Sequence, residues 1–166
     1  NRYSSLSQIN LSNVNKLEVA WMYKARIPKA PQAGGNAVIG GGGGRGGGGG
    51  GEIQCQPIIV DGVLYATTPE LHVFALDAAT GKELWKFAAP IDGARNRGVM
   101  YWQNEAGTDK RILHSVNENL YCLNATTGKL IESFGNKGVV DLKKGLAQGL
   151  DTDLSATRVR ATSPGV

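Results

Sequence analysis

The sequence predicts an all-β fold built from repeated four-stranded antiparallel units. Three observations carry this. Apolar residues come in short runs, either alternating or rich in β-branched side chains. An Asp-Gly pair sits between two such runs. One stretch, residues 74–87, recurs without a gap at 121–134.

The first run is Leu17 to Tyr23. Strand side chains alternate between faces, so Leu17, Val19, Trp21 and Tyr23 share one face. Next come Ile58-Ile59-Val60, then Asp61-Gly62, then Val63 to Thr67. Asp-Gly between β-branched runs is a strong hairpin signal, because both residues tolerate positive φ. A third region starts at Arg111-Ile112-Leu113 and extends to Phe134.

The recurrence relates Phe74 to Tyr121, an offset of 47 residues (121 − 74). A period of that length in short strands points to the blades of a β-propeller. Its turn is chemically readable. Asp77 or Asn124 can accept a bond from backbone two residues on, and Gly81 or Gly128 can supply a positive φ. Lys82 or Lys129 then opens a returning strand. Trp85 lies near the end of that strand, and Trp21 ends a similar run. Large rings at matching places suit packing between neighbouring blades. Glu132 stands where Trp85 does in the earlier copy.

From Gly40 to Gly51 every residue except Arg45 is glycine. Such a stretch buries no apolar area and costs much entropy to order, so a flexible surface loop is expected over 34–51. It lacks the strand, helix and Lys-Ser or Lys-Thr ending of a phosphate-cradling loop. The weak helical pattern from Lys143 to Leu150 is broken by Gly145 and Gly149, so at most one helical turn is expected there.

Composition narrows function. The 166 residues carry 18 Lys and Arg against 14 Asp and Glu, a net charge of +4 (18 − 14). The basic residues are scattered without an interleaved aromatic stripe, so nucleic-acid binding is not indicated. No apolar run reaches the roughly 20 residues needed to span a bilayer as a helix. Cys55 and Cys122 lack CxxC or His-rich spacing, which argues against zinc. They read as two buried free thiols on strands, or as a pair with each other. His72 and His114 have no carboxylate or cysteine at ligand spacing and read as structural. Asp151 and Asp153 read as a solvated acidic loop. No catalytic or metal-ligating residue is assigned in this chain.

Several segments, taken together and in order, resemble the PQQ-dependent (quinoprotein) dehydrogenases. Ala75 to Trp85 looks like that family's tryptophan-docking motif. Arg2 to Asn10, with Asn13-Val14 and Leu17 to Trp21, resembles the start of its catalytic domain. Asn96-Arg97-Gly98-Val99 followed by Tyr101-Trp102 resembles a segment whose arginine contacts the quinone. Ser133 to Gly138 and Val140-Asp141-Leu142 resemble a stretch best known in membrane glucose dehydrogenases.

The resemblance implies a propeller of eight four-stranded blades, of which residues 1–166 would supply about the first three. It implies pyrroloquinoline quinone in the central channel, with calcium held by ligands outside this chain. The implied activity is oxidation of a sugar or polyol hydroxyl, with electrons passing to a quinone or cytochrome acceptor. A periplasmic location follows, with membrane association only through regions absent here. By the same resemblance Arg97 would contact the cofactor, and its planar fork of donors suits a carboxylated ring system. Gln54 occupies a position where the family often has a cofactor-contacting glutamate, and an amide can bond a carboxylate without repulsion. Alcohol-oxidising relatives carry two adjacent cysteines just before the Asn-Arg-Gly segment. Ile91 to Arg95 holds none, which turns the expectation toward sugars or polyols. A further cofactor-contacting position falls at Ala161, beside Thr162, and neither is assigned. The alternative is a non-enzymatic propeller of the outer-membrane assembly lipoprotein type, which keeps docking turns without an Asn-Arg-Gly segment. Three blades cannot close a ring, so the isolated piece is expected to be inactive and aggregation-prone.

Overall fold

The computed structural model describes residues 7–25, 53–90, 96–146 and 157–163. The glycine-rich loop expected over 34–51, Ile91 to Arg95, and Asp151 and Asp153 lie outside these. Two four-stranded antiparallel sheets make up the described core. The first has the order β1 (Ile58–Val60), β2 (Val63–Thr67), β3 (Val73–Asp77), β4 (Glu83–Phe87). The second has the order β5 (Met100–Gln103), β6 (Lys110–Val116), β7 (Asn119–Asn124), β8 (Val139–Asp141). Each sheet is a meander of sequence neighbours, the pattern of a propeller blade.

The predicted hairpin forms at Asp61-Gly62, with φ of 49° and 76° and Val60 paired to Val63. Two positive φ values match the right-handed twist of the flanking strands. Both predicted docking turns also form. Asp77 Oδ1 accepts from the Ala79 and Thr80 amides at 3.1 and 2.8 Å. Asn124 Oδ1 accepts from the Thr126 and Thr127 amides at 3.0 Å each.

The tryptophans join successive units. Trp85 leaves β4 and lies on the turn of the second sheet, its Nε1 donating to the Ala125 carbonyl at 2.9 Å. Trp21 lies on the turn of the first sheet, its Nε1 donating to the Ala78 carbonyl at 3.1 Å. Each ring covers a glycine. A Cβ at Gly81 would stand 2.6 Å from the Trp21 ring, and one at Gly128 would stand 2.5 Å from Trp85. Both glycines also have positive φ, 72° and 69°. Glycine is therefore needed twice over, for conformation and for ring contact.

Two corrections to the sequence reading follow. Residues 17–25 form no strand and join neither sheet. Only part of the expected face is used: Trp21 and Tyr23, with Ala25, pack on the first sheet, while Leu17 and Val19 are 60% and 77% exposed. Tyr23 stacks on Phe74 with ring centroids 4.9 Å apart, and its hydroxyl donates to Glu83. Without a paired strand beside it, the apolar run is anchored only at its C-terminal half.

The second correction concerns the strand expected after Gly128. In the first sheet Val73 pairs with Phe87; the repeat would pair Leu120 with Phe134. Instead Leu120 pairs with Val140, six residues further on (140 − 134). Only a Leu123–Leu130 bridge survives from the expected ladder, and the chain turns at 131–138. The Phe134 amide donates to the Ile131 carbonyl and the Gly138 amide to the Phe134 carbonyl, closing that turn. Leu142 to Leu146 is a run of turns, and the rest of the weak helical pattern, 147–150, lies outside the described residues.

The main core lies between the sheets. Tyr65, Val73, Ala75 and Trp85 of the first meet Val99, Ile112, Leu123 and Ala125 of the second. Burial of the Tyr65 phenol pushes its pKa up to about 12. Leu71, Val116 and Tyr121 form a smaller cluster beside it, and Phe87 packs on Tyr121 at 5.7 Å.

Candidate cofactor rim

The two residues expected to contact the cofactor, Gln54 and Arg97, and the unassigned Thr162 sit on segments outside the strands. Gln54 precedes β1, Arg97 precedes β5, and Thr162 lies on the last described segment. Their backbones are bonded in series. The Gln56 amide donates to the Arg97 carbonyl at 2.8 Å, and the Arg97 amide donates to the Thr162 carbonyl at 3.0 Å. Three parts of the chain distant in sequence thus form one rim.

Asn96 and Ser115 hold that rim to the second sheet. Asn96 is buried, and its Nδ2 donates to the Ser115 carbonyl at 2.7 Å and to Ser115 Oγ at 3.0 Å. Its Oδ1 accepts from the Gly98 amide at 2.8 Å. Ser115 Oγ in turn donates to the Ala161 carbonyl at 2.6 Å. A buried amide left unpaired would cost roughly 1–3 kcal/mol, so this saturation matters. Gly98 has φ of 142°, and a Cβ there would stand 3.0 Å from the Gln56 carbonyl oxygen. The Asn-Arg-Gly order therefore has a mechanical reading: asparagine anchors, glycine permits close approach, and arginine is presented between them.

Arg97 and Gln54 are both exposed. Among the described residues Arg97 forms no ion pair; the ion pairs there are Lys110–Asp61 and Arg111–Asp109. Its five N–H donors are available to an anionic or carbonyl-rich ligand. That donor set, on a backbone fixed at both its amide and its carbonyl, fits a planar carboxylated quinone. Ser115 was not legible in the sequence; the only trace is a hydroxyl beside His114 in the β6 run from Ile112 to Val116.

Cys55 lies next to Gln54, half-buried and ahead of β1, and its Sγ accepts from the Thr67 amide at 3.3 Å. Cys122 is fully buried in β7, where burial pushes its thiol pKa up. Both are free thiols. His114 is buried, and its Nε2 lies 2.9 Å from the Leu71 carbonyl, tying the second sheet to the first. Burial lowers its pKa to about 4. The Nδ1 atoms of His72 and His114 are buried without a hydrogen-bond partner among the described residues. Among the described residues neither histidine hydrogen-bonds to a rim segment. Among the described residues no group of three His, Cys, Asp or Glu could hold a metal ion, and no helix is long and apolar enough to cross a membrane.

Stacked four-stranded sheets and tryptophan-locked turns define propeller blades, with a polar rim at their lead-in segments. Comparison with known proteins gives the family. The profile of the PQQ glucose/ethanol/alcohol dehydrogenase β-propeller domain matches residues 1–166, and the chain belongs to that family. It is 33% identical over 161 residues to the quinoprotein glucose dehydrogenase of Escherichia coli K12, covering 87% of this chain and 18% of that protein. It is 36% identical over 141 residues to the dehydrogenase subunit of the quinone alcohol dehydrogenase of Gluconobacter oxydans, covering 80% and 15%. The quinohemoprotein alcohol dehydrogenase structure from Comamonas testosteroni aligns with a TM-score of 0.60 over 87% of this chain and 18% of that one, at 24% identity, which supports the fold. The chain thus spans less than a fifth of the length of these proteins.

Proposed function

We propose that this chain contributes part of the quinone site of a PQQ-dependent dehydrogenase that oxidises a hydroxyl of a sugar or polyol. The observation that carries the reading is Arg97: an exposed guanidinium without an ion pair among the described residues, on a backbone bonded on both sides to neighbouring rim segments. Arg97 holds a carboxylate or carbonyl of the cofactor through charged hydrogen bonds, and Gln54 adds an amide donor from the adjacent segment. Asn96, Gly98 and Ser115 position Arg97 without touching the ligand. Bound in this site, pyrroloquinoline quinone supplies the acceptor for hydride, while the protein binds and orients. The substrate preference for sugars or polyols rests on the absence of cysteine from Ile91 to Arg95. Calcium ligands lie elsewhere in the complete protein, electrons leave to a quinone or cytochrome, and the location is periplasmic.

The test is calorimetric titration of pyrroloquinoline quinone, with calcium, into the complete protein and its Arg97→Ala variant. The expected result is tight binding, weakened by about 1.5–3 kcal/mol in the variant, the range for a hydrogen bond to a charged group. Equal binding by both proteins would make Arg97 structural. No binding by the parent protein would remove the dehydrogenase reading and favour a scaffold propeller.

A further inference from the structure

A second polar feature adjoins the rim and uses none of its side chains. Asn117, Glu118, Lys143 and the segment Thr157 to Arg160 line a cleft of about 390 Å³. Asn117 and Glu118 form the turn between β6 and β7, where Val116 pairs with Asn119 and Asn117 has φ of 52°. Lys143 follows β8, and Arg160 directly precedes Ala161 and Thr162 of the rim. Every lining residue except Val159 carries a polar side chain.

Backbone bonds hold these segments to the second sheet. The Leu142 amide donates to the Glu118 carbonyl at 2.7 Å, and the Lys143 amide donates to Asp141 Oδ1 at 2.9 Å. Ser115 Oγ donates to the Ala161 carbonyl at 2.6 Å, and the Arg97 amide to the Thr162 carbonyl at 3.0 Å, so the chain is fixed immediately after Arg160. A ligand entering the cleft meets a frame that is already ordered, which lowers the entropic cost of binding.

The charges in the cleft do not balance. Arg158, Arg160 and Lys143 face a single lining carboxylate, Glu118, an excess of +2 (3 − 1) among the described residues. Arg158 and Arg160 are exposed, and neither forms an ion pair among the described residues. A cleft dominated by one sign of charge draws in the opposite sign. Two guanidinium forks match the geometry of a carboxylate or phosphate. Glu118 opposes a ligand that is anionic throughout, yet its oxygens accept from hydroxyl groups. Asn117 and Thr157 add neutral polar groups. The lining therefore suits a molecule with one anionic head and a hydroxylated body.

We infer that this cleft binds a small polyhydroxy carboxylate, with the carboxylate on Arg158 and Arg160 and the hydroxyls towards Glu118. The site includes neither Arg97 nor Gln54, so it stands whether or not the rim holds a quinone.

The test is equilibrium dialysis of the complete protein against radiolabelled gluconate, without quinone, with sorbitol and inorganic phosphate as competitors. Saturable gluconate binding is expected. It should weaken at least tenfold in the Arg158→Gln/Arg160→Gln double variant while Tm stays unchanged. Sorbitol should fail to displace gluconate, and phosphate should do so only at several-fold higher concentration than unlabelled gluconate. Glu118→Gln should narrow that gap by strengthening phosphate binding. No saturable binding, or equal binding by the double variant, would overturn the site. Displacement by sorbitol as readily as by gluconate would overturn the role of the arginines. Phosphate binding as tightly as gluconate in the parent would overturn the ligand class. The two competition measurements use the parent protein alone, so they decide the matter even where the double variant loses its fold.

Discussion

The same lock is built twice, at Trp21 and at Trp85, on different supports. Both indoles cover a positive-φ glycine and donate to the carbonyl of the alanine just past the polar turn residue. Trp85, however, belongs to a hydrogen-bonded strand and is 9% exposed, whereas Trp21 lies on a segment that joins no described sheet and stays half-buried. The second joint also carries His114 where the first has Ala66, since Leu113 matches Tyr65 one residue earlier. The indole–glycine contact is a module, then, and its strength comes from what holds the indole in place.

The sharpest way to break the equivalence is to truncate each ring. Trp85→Ala should destabilise the complete protein by about 3–5 kcal/mol, the usual cost of emptying a buried aromatic site. Trp21→Ala should cost less, about 1–2 kcal/mol, because its ring is only partly removed from water. Denaturant unfolding of both variants measures the difference; equal losses would mean that the N-terminal segment is as firmly held as β4.

A pH titration of stability separates the joints next. His114 has a folded-state pKa of about 4 against an ordinary 6.5, because burial disfavours its charged form. The unfolded chain therefore binds a proton first as pH falls. Stability is complete above the ordinary histidine pKa and is lost between about pH 6.5 and 4, by up to about 3 kcal/mol, with no further loss from this group below that. His114→Gln should flatten this part of the profile. An unchanged slope in the variant would place the dependence elsewhere.

The smallest effect expected is that of Trp85→Phe, which keeps most of the ring and removes the N–H. Ala125 would still accept from the Tyr65 hydroxyl. A cost near 1 kcal/mol, the net worth of one hydrogen bond, is expected from the same unfolding measurement.

The parts of the fold legible in the sequence are those fixed by local chemistry. Asp61-Gly62 demands a hairpin, and Asp77 or Asn124 with a glycine four residues on demands the docking turn, whatever lies beyond. The repeat also placed Trp85 against the next unit. Illegible were features decided by long-range competition. Residues 129–134 continue the repeat, yet β7 takes Val139–Asp141 as its edge partner, and Gly135 and Gly138 in the intervening turn are the only trace. Alternation from Leu17 to Tyr23 reads as a strand, but pairing needs a neighbour that the local sequence does not encode. Arg97 and Gln54 stood out by resemblance alone. Their shared rim depends on Ser115 and on backbone bonds between segments, which carry no side-chain signature.

The serial bonding of those segments has an evolutionary consequence. Because the Gln56, Arg97 and Thr162 backbones are joined through amides and carbonyls, the frame of the rim is laid down independently of which side chains are displayed there. Side chains such as Gln54, Ala161 and Thr162 can then exchange character without disturbing that frame. Such a rim is open to retuning by single substitutions, so closely similar chains can diverge in the groups they display while their frames stay superimposable.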